Sequence, residues 1–352
     1  MPMKTVVVLP NWIGDVVMAT PALRALRAQM QPGDEIVGIM QPYVKDVLRG
    51  TNLLDRSIYW SKKTSDRRRR FWGVVQQLRP EKFDQAILFT NSLRTAGLTY
   101  FGGAKRRIGY ARGWRSPLLT DRLAPPKLAD GKFAPISAVD YYLDLVEFAG
   151  YPSQGKQPIL AVSKGDQRKV DEIWDKFDFA GKRVVVFNTG GAYGAAKHWP
   201  PEHYIALAER LVQDPTIAVL LICGPQERET VAKIEQAINH PNACSLADET
   251  LSIGLSKAAI EKADVLVTTD SGPKHFAAAF ATPAVALFGP TDPRWGNSYN
   301  PFETMLTHPV DCGPCVKRVC PLGHHKCMQN LSVARVHQAV LNQLNKAKRL
   351  AA

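Results

Sequence analysis

The feature that most constrains this chain is an alternation. Short β-branched runs at 5–9, 35–39, 85–89 and 107–110 are separated by stretches whose apolar residues recur at helical spacing, and the scheme resumes at 183–187, 218–223, 264–267 and 284–288. Continuous apolar runs of this length suit strands buried on both faces of a parallel sheet, with crossover helices between them. The predicted class is therefore α/β, assembled from βαβ units. At 352 residues the chain has room for two such units. Tyr151-Pro152-Ser153-Gln154-Gly155-Lys156-Gln157-Pro158, inside 150–182, breaks both periodicities and marks the boundary between them. Domains are expected at 1–165 and 180–330. A last amphipathic helix within 331–352 begins at Ser332 as N-cap, with Val333, Val336, Val340 and Leu344 on one face. It is expected to pack back on the amino-terminal domain.

Apolar stretches such as 283–288 are far shorter than the ~20 residues of a membrane-spanning helix. The first residues lack the charged, apolar and cleavage segments of a secretory signal, so a cytoplasmic location is expected. Net charge is +13 and unevenly spread: residues 1–150 hold 23 Lys and Arg against 13 Asp and Glu, while 151–352 hold 22 against 19. A positive field of that kind attracts nucleic acid, an anionic membrane surface or a phosphorylated substrate.

In open parallel sheets the ligand crevice lies beyond the carboxyl ends of the strands, which singles out three segments. The first, Pro10-Asn11-Trp12-Ile13-Gly14-Asp15, opens a helix, and Asp15 is either its N-cap or a general base. The second runs from Asn188 through Gly190, Gly191 and Gly194 to Lys197. It is either a flexible turn or a phosphate cradle of backbone amides and one lysine, and it is neither a Walker loop nor a dinucleotide fingerprint. The third, Thr269-Asp270-Ser271-Gly272-Pro273-Lys274-His275, enters an apolar helix. There Asp270 or Ser271 caps the helix, or the Ser271 and Gly272 amides meet a diphosphate while Asp270 accepts from sugar hydroxyls.

Six cysteines in an intracellular chain of this size do not read as a disulfide framework. Cys312, Cys315, Cys320 and Cys327, with His308, His324 and His325 nearby, offer the ligands of a structural zinc site or form a reduced thiol cluster.

Taken together and in order, Asn11-Trp12-Ile13-Gly14-Asp15, Lys197-His198-Trp199-Pro200, the segment 269–275 and Phe288-Gly289-Pro290-Thr291 resemble the ADP-heptose:lipopolysaccharide heptosyltransferases. The resemblance runs from residue 4 to about 340. It is strongest to the branch that adds the second heptose of the inner core, many of whose members carry a cysteine-rich tail similar to 312–327. It implies a GT-B fold: two Rossmann-like domains with parallel sheets facing a central cleft. ADP-heptose is then held by the carboxyl-terminal domain and a Kdo-lipid A-type inner-core acceptor by the amino-terminal one.

By the same resemblance Asp15 is the base of an inverting transfer, Lys197 contacts the donor phosphates, and Asp270, Ser271, Gly272 and His275 form the donor-binding motif. Glu227 matches a position that holds the ADP ribose, with Glu229 close enough to compete. No DxD pair stands in the donor loops, so no cofactor or catalytic Mg²⁺ or Mn²⁺ is expected. Lys62, Lys63, Arg67, Arg106 and Arg112 are candidate contacts for acceptor carboxylates and phosphates, and Arg115 lies in the same basic cluster. Trp72 and Trp114 stand beside these basic clusters, where they would meet an anionic cytoplasmic membrane surface, which implies a peripheral location at its inner face. Two other readings stay open: a transferase with a different heptose acceptor (the first or third core heptose, another glycan or a protein), and a non-catalytic nucleotide-sugar or nucleic-acid binder. Nucleic acid is not expected as a partner, because no RNA- or DNA-binding motif is present.

Overall fold

The computed structural model describes residues 2–191 and 193–351, the side chains of 347–351 excepted. The chain divides into two compact units, Met1–Ala161 and Val162–Ala352. The first is built on strands β1 Lys4–Val8, β2 Glu35–Met40, β3 Arg56–Tyr59, β4 Gln85–Leu88, β5 Arg106–Tyr110 and β6 Asp121–Leu123. They lie in the order β3-β2-β1-β4-β5-β6, all parallel. The second unit uses β7 Arg183–Asn188, β8 Ile217–Ile222, β9 Ala243–Ser245, β10 Val265–Thr269, β11 Ala284–Phe288 and β12 Glu303–Thr307. Their order, β12-β11-β10-β7-β8-β9, repeats the first topology, again with every pairing parallel. Both are doubly wound sheets whose strand order reverses beside the first strand of the unit.

The eight inner strands are the eight expected from the sequence, and the four outer ones, β3, β6, β9 and β12, are the four it did not announce. An inner parallel strand is covered on both faces and must be apolar throughout, as in Ile217–Ile222, where every residue is buried. An edge strand needs only partial cover: Arg56–Tyr59 buries a single residue, Ile58. Such a strand is recruited by its neighbour's open hydrogen bonds rather than by its own composition.

Residues 151–161 do not form a free linker. Tyr151 is buried and its hydroxyl bonds Gln85, Gly155 O accepts from Arg24 at 2.9 Å, and Ile159 N donates to Thr20 at 2.9 Å, so the segment is laid along the first unit. The helix Lys164–Lys176, capped by Ser163, belongs to the second unit, where its Lys176 pairs with Glu249 and its Asp171 with Lys262.

The last helix, Val333–Ala351, corrects the expectation that it returns to the amino-terminal domain. Val336, Val340 and Leu344 are buried in the second unit's core with Leu207, Ala208 and Leu211 of the helix Pro201–Leu211. Trp199, fully buried, donates from Nε1 to Leu331 O at 2.9 Å and fixes the start of this packing. Among the described residues no helix is long and apolar enough to cross a membrane.

Because Leu344 is 1% exposed within that core, Leu344→Ala should destabilise the full chain by about 2–4 kcal/mol in urea unfolding. An unchanged midpoint would show that the helix is not part of the unit's core.

Candidate functional site

In each sheet the loops that leave β1 and β4, or β7 and β10, diverge at the reversal of strand order, and the motifs singled out above lie in these loops. In the first unit the chain leaves β1 through Pro10 and Asn11 and enters the helix Ile13–Met18. Trp12, with extended backbone and no side-chain capping bond, is the N-cap, so Asp15 is not. It is the third residue of the helix, half-buried in the first turn, where a carboxylate suits the helix dipole. Tyr142 lies close by: burial first, and then the Asp15 charge, hold its phenol well above the ordinary tyrosine range.

After β4, Asn91 Oδ1 accepts from the Tyr141 hydroxyl at 3.2 Å and from Arg115 at 3.1 Å. Arg115 is completely buried and spends its donors on Tyr110 O, Thr90 O and Asn91. Burial lowers its pKa to about 10, so it stays charged at neutral pH. It is therefore a buckle joining the loops after β4 and β5, not a member of a surface basic cluster. Arg106 also departs from expectation, because it stands at the amino end of β5, opposite the crevice edge, bound to Asp121 at 3.0 Å. Lys62 and Lys63 are exposed beyond β3, Arg67 is exposed on the short helical turn Arg67–Arg69, and Arg112 follows β5 with its guanidinium 3.8 Å from the Phe133 ring centre.

The second unit brings most of the expected donor residues together. Lys197 and Asp270 form an ion pair whose side chains keep only 10% and 13% of their surface exposed. The Lys197 ammonium donates to Asp270 Oδ2 at 2.6 Å and to Asp270 O at 2.8 Å, and Thr291 donates to the same carboxylate at 2.8 Å. Two of the lysine's three donors are thus engaged, which leaves one for a ligand oxygen. Burial works to raise the Asp270 pKa, but the Lys197 ammonium, with Lys274 behind it, outweighs that and holds the carboxyl below its ordinary range.

Asn188, at the end of β7, stitches the two loops: Nδ2 donates to Gly190 O at 3.2 Å, Thr268 at 3.0 Å and Ser271 at 2.9 Å. Ser271 precedes the helix Gly272–Phe280 as an N-cap whose side chain makes no capping bond, so the positive helix end faces the crevice beside Lys197. Glu227 lies against the Gly-rich loop and accepts Gly224 N–H at 3.0 Å; a Cβ on Gly190 would sit 2.5 Å from its Cγ. Glu229 instead pairs with Lys233 on the exposed face of its helix, so the structure puts Glu227, not its competitor, at the crevice.

His275 is not exposed to a ligand. It is buried, its Nδ1 shares a hydrogen bond with Ser298, and desolvation lowers its pKa to about 3, so the ring is neutral. Lys274, also in the motif, points inward to Gly296 O at 2.7 Å and to Glu303. Both side chains brace the loop that follows β11 rather than meeting the crevice.

The cysteine-rich segment has a structural part in the same site. Val316 N donates to Pro290 O at 2.8 Å, Tyr193 donates to Val316 O at 2.8 Å, and Ala196 N to Arg318 O at 3.0 Å. His325 Nε2 lies 2.7 Å from Ala196 O. The segment is thus a strap over the Gly-rich loop, of which Ala192 lies outside the described residues. Gly194 is needed beneath it: φ is 148° and a Cβ would lie 2.4 Å from Arg318 O. Of the two readings of these cysteines, the zinc site does not appear among the described residues. Among the described residues no three His, Cys, Asp or Glu side chains are placed to hold a metal ion. Cys312 is exposed with its Sγ 4.0 Å from His324 Nε2, Cys327 is buried against Gly289, and burial first, then Cys315, Cys320 and Cys312 together, raise the pKa of the Cys327 thiol. Asn188, Tyr193 and Thr291 lie in segments that the sequence singled out, but it assigned them no role, since an amide, hydroxyl or ring carries no spacing signal of its own.

Comparison with known proteins gives a consistent picture. The model of glycosyltransferase family 9 (heptosyltransferase) matches residues 71–326. Lipopolysaccharide heptosyltransferase 2 of Escherichia coli K12 is 27% identical, over 97% of this chain and 94% of its own length. The solved structure of E. coli ADP-heptose LPS heptosyltransferase II superposes with a TM-score of 0.78 at 25% identity, covering 98% of this chain and all of that one. A family 9 glycosyl transferase from Veillonella parvula shares the fold, with a TM-score of 0.82, 21% identity and coverage of 98% and 97%.

The neutral His275 gives the unit a pH signature. Between its ordinary value of 6.5 and about 3 the unfolded chain binds a proton that the folded one does not. Stability therefore falls as pH drops through that window, by at most about 1.4 kcal/mol per pH unit from this group. His275→Asn should unfold in urea with a shallower loss between pH 7 and 5 than the wild type; parallel losses would refute the assignment.

Proposed function

The chain belongs to glycosyltransferase family 9, the heptosyltransferases, and from that premise we propose that it transfers heptose from ADP-heptose to the heptose of the lipopolysaccharide inner core, with Asp15 as general base. The observation that carries the donor half is the buried Lys197–Asp270 pair beside the start of the helix Gly272–Phe280, with Glu227 across the Gly-rich loop. A diphosphate takes the remaining Lys197 donor and the amides of Ser271 and Gly272, and Glu227 accepts from the ribose hydroxyls. Asp270 holds the ammonium in place, so the phosphate meets a fixed charge rather than a mobile side chain.

In the proposed step the acceptor hydroxyl loses its proton to Asp15 as its oxygen bonds the anomeric carbon, and the bond from that carbon to the phosphate oxygen breaks on the opposite face. ADP leaves with the electron pair. Its growing negative charge is met by Lys197 and the helix amides, which are already oriented before the reaction, so the residues themselves supply the stabilisation that a divalent cation gives in other transferases. Lys62, Lys63, Arg67 and Arg112 remain candidates for acceptor carboxylates and phosphates. A lipid-linked acceptor places this work at the inner face of the cytoplasmic membrane.

The test is mass spectrometry of a one-heptose inner-core acceptor incubated with ADP-heptose and the protein. Gain of one heptose with release of ADP is the expected result, and a gain only on an acceptor bearing no heptose, or two, would reassign the acceptor. Asp15→Asn should lower kcat by about 10²–10⁴ while ADP binding by calorimetry is unchanged. Lys197→Met should weaken ADP binding and lower kcat by about 10²–10³ together. Transfer by Asp15→Asn at the wild-type rate would remove Asp15 as the base.

A further inference from the structure

We infer that the face of the first unit formed by the helices Phe71–Leu78 and Leu93–Phe101 is a docking surface for an anionic lipid bilayer, an inference that rests on the reading above for its biological setting but not for its physics. Four aromatic rings are in mutual contact there. Phe71 meets Trp72 at 5.1 Å and Phe101 at 6.2 Å between ring centres, Trp72 meets Phe101 at 5.5 Å, and Phe101 meets Tyr100 at 5.2 Å. Yet Trp72 is 60% exposed, Tyr100 45% and Phe101 42%. The cluster continues along the second helix. Residues 93, 97 and 101 share one helix face, Leu93 is 51% exposed, and the absent side chain of Gly97 lets Phe71 lie across it, 3.3 Å from where a Cβ would be. An apolar patch of this kind, kept in water by a folded unit, marks a surface that is covered in use.

What surrounds the patch identifies the cover. Arg67, Arg68 and Arg70 line a shallow groove with Phe71, Trp72 and Gln77, Arg79 donates to Phe101 O at 3.1 Å, and the Arg107 guanidinium lies 5.2 Å from the Tyr100 ring centre. Acidic residues are missing from the same stretches of chain, with none between Asp66 and Glu81 and none between Asp84 and Asp121. Asp66 itself is occupied by Arg69 at 3.0 Å. Aromatic rings at the centre and arginines at the rim are the complement of a lipid headgroup layer, where rings settle at the interface and cations meet phosphates. A nucleic-acid duplex, with its bases stacked inside, would satisfy the arginines but leave the apolar edge of Leu93, Phe101 and Trp72 in water. Lys62 and Lys63 extend the same positive field.

The inference is tested by co-sedimentation of the full chain with extruded vesicles of phosphatidylethanolamine containing 30% phosphatidylglycerol, against vesicles of phosphatidylcholine alone. The wild type should bind the anionic vesicles and release at high salt. Arg68→Gln with Arg70→Gln should lower the partition coefficient about 25-fold, each arginine near the surface contributing about fivefold. Trp72→Ala with Phe101→Ala should lower it by about tenfold or more. A water-soluble, deacylated acceptor should be used by both variants at the wild-type rate, which also shows that they are folded. Circular dichroism and the urea midpoint give the same assurance if no transfer is seen with any protein, a result that would count against the proposed function and leave the vesicle comparison intact. Equal binding of variants and wild type, equal binding to neutral vesicles, or binding only when the acceptor lipid is included would each overturn the inference.

Discussion

The structure depends on one topological constraint, the reversal of strand order beside the first strand of each parallel sheet. Where β7 and β10 are neighbours, the connections leaving them must go to opposite faces, so a space opens between the two loops that no side chain of the sheet fills. Everything at the crevice of the second unit is an answer to that opening. Asn188 spans it with three hydrogen bonds, Thr269 adds a bond to Gly190 O at 3.3 Å, and the Lys197–Asp270 pair closes the remainder. The reversal recurs between β1 and β4, where Asp15 follows one strand and Asn91 the other.

Burying charges at such a place is costly unless each is matched, and the second unit matches them in layers. Lys197 is held by Asp270 at the crevice, and beneath it Lys274 is held by Glu303 and the Gly296 carbonyl. His275 avoids the problem by staying neutral against Ser298. The loop after β11 is therefore propped from below by two residues of the helix Gly272–Phe280, while the strap at 316–318 holds it to the Gly-rich loop from the other side. A crevice braced on both sides keeps its amides and ammonium in position before a ligand arrives, which is the condition under which electrostatic stabilisation is strongest.

The first unit treats its positive charge differently. Arg106 and Arg115 are absorbed into the fold, one by Asp121 and the other by backbone carbonyls, whereas Arg67, Arg68 and Arg70 are left outside around exposed rings. Arginines thus separate into structural and surface roles according to which carboxylates and carbonyls lie within reach. Charge counted along the chain does not make that distinction.

Much of this was legible in the amino-acid order, for a physical reason: inner parallel strands are buried on both faces and so must be written as unbroken apolar runs, and crevice loops must follow them. The α/β class, the eight inner strands, the presence of two units and the grouping of Asp15, Lys197, Asp270 and Ser271 at strand ends all came from that requirement. What only the tertiary structure decided are matters of partnership. The edge strands exist because a neighbour offers hydrogen bonds, Glu227 rather than Glu229 faces the Gly-rich loop because of where its helix begins, and His275 is a brace because Ser298, 23 residues later, folds against it. The cysteines that their spacing grouped stay within electrostatic reach of Cys327 without forming a ligand set among the described residues, and the last helix packs into the core of the second unit. A side chain's type and spacing state what it can bind; the contacts made by distant parts of the chain determine which of those bonds it makes.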